Sequence, residues 1–118
     1  MTTVNSDRMS GIDRPHQAVV RTEAEWRSLW QQHAAGRPAP AIDFSKNMVL
    51  AVFLGSRPSS GFSVQITGVR AEGDGLVVEW AEARPSPGMS AAQVMTAPSH
   101  VVAVPRHDGP VRFEKVER

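Results

Sequence analysis

The chain has 118 residues, of which 41% are apolar and 21% are charged, and its formal net charge is +1. Such a chain is expected to be globular, and the small net charge gives no electrostatic reason to expect nucleic acid as a partner. It contains no cysteine, which excludes disulfides, zinc–thiolate sites and thiol catalysis. No apolar run approaches the roughly 18 residues that span a bilayer, so membrane insertion is not expected.

The N-terminal segment is polar and carries no hydrophobic period. We predict a flexible segment over residues 1–16 and a single domain over residues 17–118. The short apolar run at residues 17–21 reads as an edge strand. Met1 to Ser10 lacks the apolar core of an export signal, which predicts a cytoplasmic location for the chain as written. An export signal removed upstream would instead place the protein outside, so the location stays open.

One amphipathic helix is predicted directly after this edge strand. Thr22 and Glu25 have the spacing of a capping box, in which each side chain accepts a backbone N–H of the other residue. An apolar stripe at helical spacing follows, and Gly36 is suited to end the helix. The stripe consists of Trp26, Leu29, Trp30 and His33. It must pack against a sheet, so the tryptophans are predicted to be core residues.

Strand patterns dominate the rest of the chain. The continuous apolar run at residues 48–54 predicts a central strand with both faces covered, one of them by the helix. Alternation on both sides of a Gly-Asp-Gly turn predicts a hairpin over residues 62–82. Residues 90–97 favour a strand, with a short helix as the alternative. A second hairpin is predicted from residues 100–105 and 111–116.

These elements predict an α+β fold. It is mainly an antiparallel β-sheet of about six to seven strands, sandwich- or barrel-like, with one N-terminal amphipathic helix. If the strands run alternately up and down, the loops at 55–61, 83–89 and 106–110 share one end of the sheet.

A short string appears twice in those loops, as Arg57-Pro58-Ser59-Ser60-Gly61 and Arg84-Pro85-Ser86-Pro87-Gly88. Proline holds the residue before it extended, and glycine supplies the left-handed turn. Each string therefore reads either as a good turn or as a stiff loop that presents an arginine to a protein partner. The eleven arginines against two lysines weakly favour a protein partner. The predicted binding residues are Arg57, Pro58, Ser59, Ser60, Gly61, Phe62, Arg84, Pro85, Arg106 and His107.

Nothing in the sequence indicates catalysis. The histidines His16, His33, His100 and His107 do not have metal-ligand spacing. Ser99 and His100 are adjacent on a predicted strand, so their side chains point to opposite faces. There is no Gly-x-Ser-x-Gly elbow. We therefore predict no catalytic residue, no metal and no cofactor.

The string from Asp43 to Val49, followed by Gly55 to Val64, resembles the PrcB C-terminal domain family. The resemblance continues through Gln93 to Pro98 and Val101 to Pro105, and covers about residues 17–106. The family is named after a domain of an accessory subunit of a bacterial surface protease complex. The resemblance implies a non-enzymatic, usually exported domain that assists assembly or stability of the complex, with a protein partner that includes a protease.

Two alternatives remain open. The string from Pro58 to Phe62 is similar to a loop of chagasin-type inhibitors, which present three loops from one end of a β-sandwich to a cysteine protease. That likeness implies a direct protease inhibitor. A small-ligand-binding domain is the third reading, and it requires a pocket between the helix and the sheet. The partner's identity and the oligomeric state are not specified by the sequence.

Overall fold

The computed structural model describes residues 1–88 and 90–117. Within these ranges the fold is mainly β, with one helix and two separate sheets rather than a closed barrel, which confirms the predicted fold class. The elements in chain order are β1 Thr2–Asp7, β2 His16–Val20, α1 Glu23–Ala34, β3 Asn47–Phe53, β4 Ser63–Glu72, β5 Gly75–Ala83, β6 Ser99–Pro105 and β7 Val111–Lys115.

The two sheets and the helix form three layers. The first sheet has the order β1-β6-β3-β2 with all neighbours antiparallel. The second sheet has the order β4-β5-β7, in which β4 and β5 are antiparallel and β5 and β7 are parallel. The four-stranded sheet lies in the middle, with α1 on one face and the three-stranded sheet on the other.

Strand β3 is the centre of both cores, as its continuous apolar run predicts. Val49, Ala51 and Phe53 belong to the cluster shared with the helix. The alternate residues Met48 and Leu50 belong to the cluster shared with the second sheet. All of β3 from Met48 onward is buried, because a strand between two covered layers has no face left for water.

Helix α1 is positioned by the predicted cap and stripe. The Glu25 amide donates to the Thr22 hydroxyl at 3.2 Å, and the Glu25 carboxylate accepts from the Arg21 amide at 3.1 Å. Trp26 and Trp30 fill the layer between helix and sheet, where the small-ligand alternative required a pocket. Their indole N–H groups donate to carbonyls of the chain that follows the helix. No helix within residues 1–88 and 90–117 is long and apolar enough to span a membrane.

The N-terminal segment differs from the prediction. Thr2–Asp7 is a strand, β1, that pairs antiparallel with β6. It forms without an apolar period because an edge strand is held by its backbone and by polar contacts: Thr3 bonds His100, and Asn5 bonds His33. The expectation of a flexible segment over 1–16 is wrong for this stretch. The division of the chain at residue 17 stays a prediction.

The predicted succession of strands after β5 is wrong as well. Residues 90–97 are neither a strand nor a helix, and carry only isolated bridges from Thr96 to Arg57 and from Ala97 to Met9. Strands β6 and β7 lie in different sheets, so the hairpin predicted from 100–105 and 111–116 does not form. Alternation along a strand specifies its buried face but not its neighbour. With one strand fewer before β6, that strand ends at the opposite pole from the one predicted.

Candidate functional site

The two Arg-Pro-Ser strings lie at one end of the sandwich. Strand β3 ends at Phe53, opposite Ser99. Strand β4 begins at Ser63, opposite Ala83 at the end of β5. The loops that follow β3 and β5 therefore leave from the same end. We call this end the rim, and define it as Met9, which is bridged to Ala97, and residues 54–62, 84–88 and 90–98. Met89, part of the predicted loop 83–89, lies outside the described residues.

The two strings are in direct contact. A Cβ atom placed on Gly61 would lie 2.8 Å from the Cγ atom of Pro85. Both terminal glycines adopt positive φ, 93° at Gly61 and 82° at Gly88, as their position in a turn requires. The structure thus brings Arg57, Pro58, Ser59, Ser60, Gly61, Phe62, Arg84 and Pro85 to one end of the molecule. Whether these residues bind a partner stays a prediction.

Arg57 is turned inward rather than presented to solvent. Its Nε donates to Glu82 at 2.9 Å, and its Nη1 donates to the Leu54 carbonyl at 3.1 Å. The guanidinium also lies 5.9 Å from the centre of the Phe62 ring. Only 25% of the Arg57 side chain is exposed. Arg57 therefore anchors its own loop to β5, whereas Arg84 is exposed.

Glu82 is the buried partner in this arrangement. Its side chain is 3% exposed, and Lys115 on β7 donates to the second carboxylate oxygen at 3.3 Å. Burial raises the pKa of Glu82, but the hydrogen bonds and charges of Arg57 and Lys115 outweigh it and lower that pKa below its ordinary value. The carboxylate is therefore ionised at neutral pH and ties the first rim loop to β5 and β7 of the second sheet.

A third segment is bonded across the first loop. Residues 90–97, which we call the strap, lie along the Arg57 loop. Arg57 and Thr96 exchange two backbone hydrogen bonds, at 2.7 and 2.9 Å. The Ser60 amide donates to the Ala92 carbonyl, and the Ser60 hydroxyl accepts from the Ala92 amide. The Thr96 hydroxyl donates to the Ser59 carbonyl at 3.0 Å. These hydrogen bonds fix the strap and the Arg57 loop to each other.

The rim also carries exposed apolar side chains that the sequence analysis missed. Val94 and Met95 on the strap are 52% and 62% exposed, and Met9 is 64% exposed. Met9 is bridged to Ala97, next to the strap. The pattern Val94-Met95-Thr96 before a proline favoured a strand, and nothing local distinguishes a strand from an exposed strap. Exposure here depends on which segment lies underneath.

Arg106 and His107 are not part of the rim, contrary to the prediction. Pro105 pairs with Asn47 at the start of β3, so the chain leaves β6 at the opposite pole. Arg106 donates to the Phe44 carbonyl at 2.9 Å and to the Arg21 carbonyl at 3.2 Å. His107 bonds the Asp74 carbonyl at 2.9 Å. Both side chains hold turns at that pole together.

A second polar cluster joins the N-terminal strand to the helix. The Ser10 hydroxyl lies 2.7 Å from His33 Nδ1, and His33 Nε2 lies 2.7 Å from the side-chain oxygen Oδ1 of Asn5. Burial lowers the pKa of His33. The arrangement has the residue types of a nucleophile and base. However, Ser10 and His33 are only 7% and 3% exposed, and the Ser10 oxygen accepts the Ile12 amide. We therefore assign it a structural role.

The arrangement of the potential metal ligands is also visible in the described residues. Within residues 1–88 and 90–117, no three His, Asp or Glu side chains are grouped so that they could hold a metal ion.

Comparison with known proteins gives one family. The model described as PrcB C-terminal matches residues 48–105. The matched stretch begins in β3, ends with β6, and includes both Arg-Pro-Ser strings and the strap. No curated protein and no solved structure matches the chain.

Proposed function

We propose that this chain, which belongs to the PrcB C-terminal family through residues 48–105, is a non-enzymatic protein-interaction domain of a protease complex. Family membership supports an accessory domain of a protease-associated protein. The finer proposal is that the rim is the surface that contacts the partner. It includes the predicted residues 57–62, Arg84 and Pro85, and adds the strap and Met9.

One observation carries this proposal: three large apolar side chains are exposed at one rigid end. They are Met9, Val94 and Met95. Within the described residues, only Met1 is a further exposed large apolar side chain. Methionine adapts its shape to a partner and is frequent at binding surfaces. Because backbone hydrogen bonds already join the strap to the Arg57 loop and to the segment around Met9, little conformational entropy is lost when a partner docks on these side chains.

The exposed charge of Arg84 indicates what kind of partner surface would fit the rim. Arg84 is exposed beside Pro85, which restricts its backbone. Arginine is enriched at protein interfaces because its planar guanidinium pairs with carboxylates at little ordering cost. The complementary partner surface is therefore apolar where it meets the strap and acidic where it meets Arg84.

The test is binding to the purified protease partner by calorimetry. We expect Val94→Ser/Met95→Ser and Arg84→Ala each to weaken the Kd by about tenfold or more, the effect of losing an interface hot spot. Gln65→Ala, on the exposed side of β4, and Arg27→Ala, on the exposed side of α1, are the matched controls and should bind as the wild type does. Unchanged affinity in both rim variants would reject the rim as the contact surface.

A second candidate function is direct inhibition of a protease. The observation that favours it is the presence of three chain segments at one end of a two-sheet sandwich, the arrangement that chagasin-type inhibitors use. Incubation with papain-like and subtilisin-like proteases separates the two proposals. An inhibitor slows cleavage of a small peptide substrate, and Val94→Ser/Met95→Ser relieves that inhibition. An accessory domain leaves the rate of cleavage unchanged.

A further inference from the structure

His100 joins three strands at the contact between the two sheets. The residue lies on β6 and is 5% exposed. The Ile66 amide on β4 donates to its Nδ1 at 2.8 Å, and its Nε2 lies 3.0 Å from the Thr3 hydroxyl on β1. A neutral imidazole carries one ring proton. Since Nδ1 accepts the amide, that proton is on Nε2, which donates to Thr3.

The bulge in β1 makes the contact to Thr3 possible. The β1–β6 register shifts between Thr3 and Asn5. Thr3 is opposite Val102, which belongs to the core between the sheets, and Asn5 is opposite Val101, which belongs to the helix-side core. In a regular strand two residues separated by one position share a face. The bulge therefore directs Thr3 to His100 and Asn5 to His33.

Protonation affects these two histidines differently. A proton added to His100 Nδ1 faces the Ile66 amide, so two donors oppose each other, and a backbone amide within a strand cannot turn away. His33 Nδ1 instead faces the Ser10 hydroxyl, which is able to rotate and accept a hydrogen bond. The His100 site is thus the one whose bonding is incompatible with the charged ring.

We propose that His100 is a proton-sensitive latch between the two sheets. The neutral ring holds β4 against β6 through the Ile66 amide. Protonation breaks this bond, drives the charged ring out of the buried layer and lets β4 separate locally from β6.

The surroundings of the ring support a latch that is closed at neutral pH. The residues that face it are Thr3 and Ser6 from β1, Val52 from β3 and Ile66 from β4, and none carries a charge. Burial lowers the pKa of His100 below its ordinary value of 6.5. The opened site has the ordinary pKa, so opening takes up one proton below that pH. The latch is therefore closed above pH 6.5, and the opening constant rises about tenfold for each pH unit below it, until the folded-state pKa is reached.

Amide hydrogen exchange of the full chain, followed by NMR between pH 7.5 and 5, tests the latch. After correction for intrinsic exchange, the protection factor of the Ile66 amide should fall about tenfold per pH unit below about 6.5, and should stay below that of Leu50 in the buried strand β3 at every pH, because the latch opens without unfolding β3. His100→Asn places an uncharged oxygen at the position of Nδ1, and should make the Ile66 protection independent of pH. His16→Asn, on edge strand β2, is the control and should retain the wild-type dependence.

Four results would overturn the proposal. One is an Ile66 protection factor that does not change with pH in the wild type, and another is an unchanged pH dependence in His100→Asn. If that variant does not fold, the ring nitrogen shifts of wild-type His100 decide instead. A proton on Nδ1, or a folded-state pKa at or above 6.5, is incompatible with the latch.

Discussion

Two arginines in nearly identical strings lie in opposite environments. Arg57 is bonded to the buried Glu82, whereas Arg84 is exposed. Proline and glycine act through their own φ angles, so the turn at Gly61 and the turn at Gly88 could be predicted locally. The partner of a guanidinium is set by which strand runs past it. That is why the inward turn of Arg57 could not be predicted, although the positive φ of both glycines could.

The contact between the two strings predicts a difference between two glycine substitutions. Gly61→Ala and Gly88→Ala both force alanine into a left-handed conformation, which costs about 1 kcal/mol. Only Gly61→Ala also pushes a Cβ atom to 2.8 Å from Pro85, while Gly88 has open space around it. We expect Gly61→Ala to reduce the free energy of unfolding by about 1–3 kcal/mol more than Gly88→Ala, measured by urea denaturation. Equal losses would mean that the two loops do not press on each other.

Among the helices and strands, the sequence predicted best those with a regular pattern of apolar residues. Helix α1 and strand β3 were predicted because their apolar residues repeat without interruption and their burial follows directly. Strand β1 and the strap were not, because neither is organised by apolar burial. Strand β1 is a polar edge held by Thr3 and Asn5, and the strap is held by backbone bonds to the Arg57 loop.

The packing of the helix is tested by removing its central aromatic ring. Trp30 is 6% exposed, and its indole donates to the Arg37 carbonyl at 2.9 Å. We expect Trp30→Ala to cost about 3–5 kcal/mol of unfolding free energy, because it leaves a cavity between helix and sheet. Gln31→Ala, on the exposed side of the same helix, should change the unfolding free energy by less than about 0.5 kcal/mol. A near-neutral Trp30→Ala would contradict the layer described above.

At the scale of the whole molecule, topology decides which loops meet. The chain crosses between two sheets instead of meandering through one, and β7 joins β5 in parallel. Consecutive strands run in opposite directions, so one strand more or fewer than predicted reverses the direction of every strand that follows it. The absence of a strand at residues 90–97 therefore moves Arg106 and His107 to the opposite pole, and the strap occupies the place on the rim that the sequence assigned to them.

The contribution of the N-terminal segment is tested by two truncations. Removing residues 1–16 deletes β1 and also Ile12, which is 1% exposed in the helix-side core. Removing residues 1–8 deletes β1 but keeps Ile12. We expect the longer truncation to lose at least about 3 kcal/mol of unfolding free energy, and the shorter one clearly less, because only the longer one empties a core site. If residues 17–118 alone were as stable as the full chain, the boundary predicted at residue 17 would hold instead.

Local stereochemistry and hydrophobic period were enough to identify the helix with its cap, the doubly buried strand, the hairpin of β4 and β5, and the two stiff loops. These depend on interactions among residues near one another in the chain. Which strand pairs with which, which arginine is buried, and which apolar residues remain exposed depend on contacts between distant segments. Many pairings satisfy the same alternating pattern, and only the packing of the complete chain selects one of them.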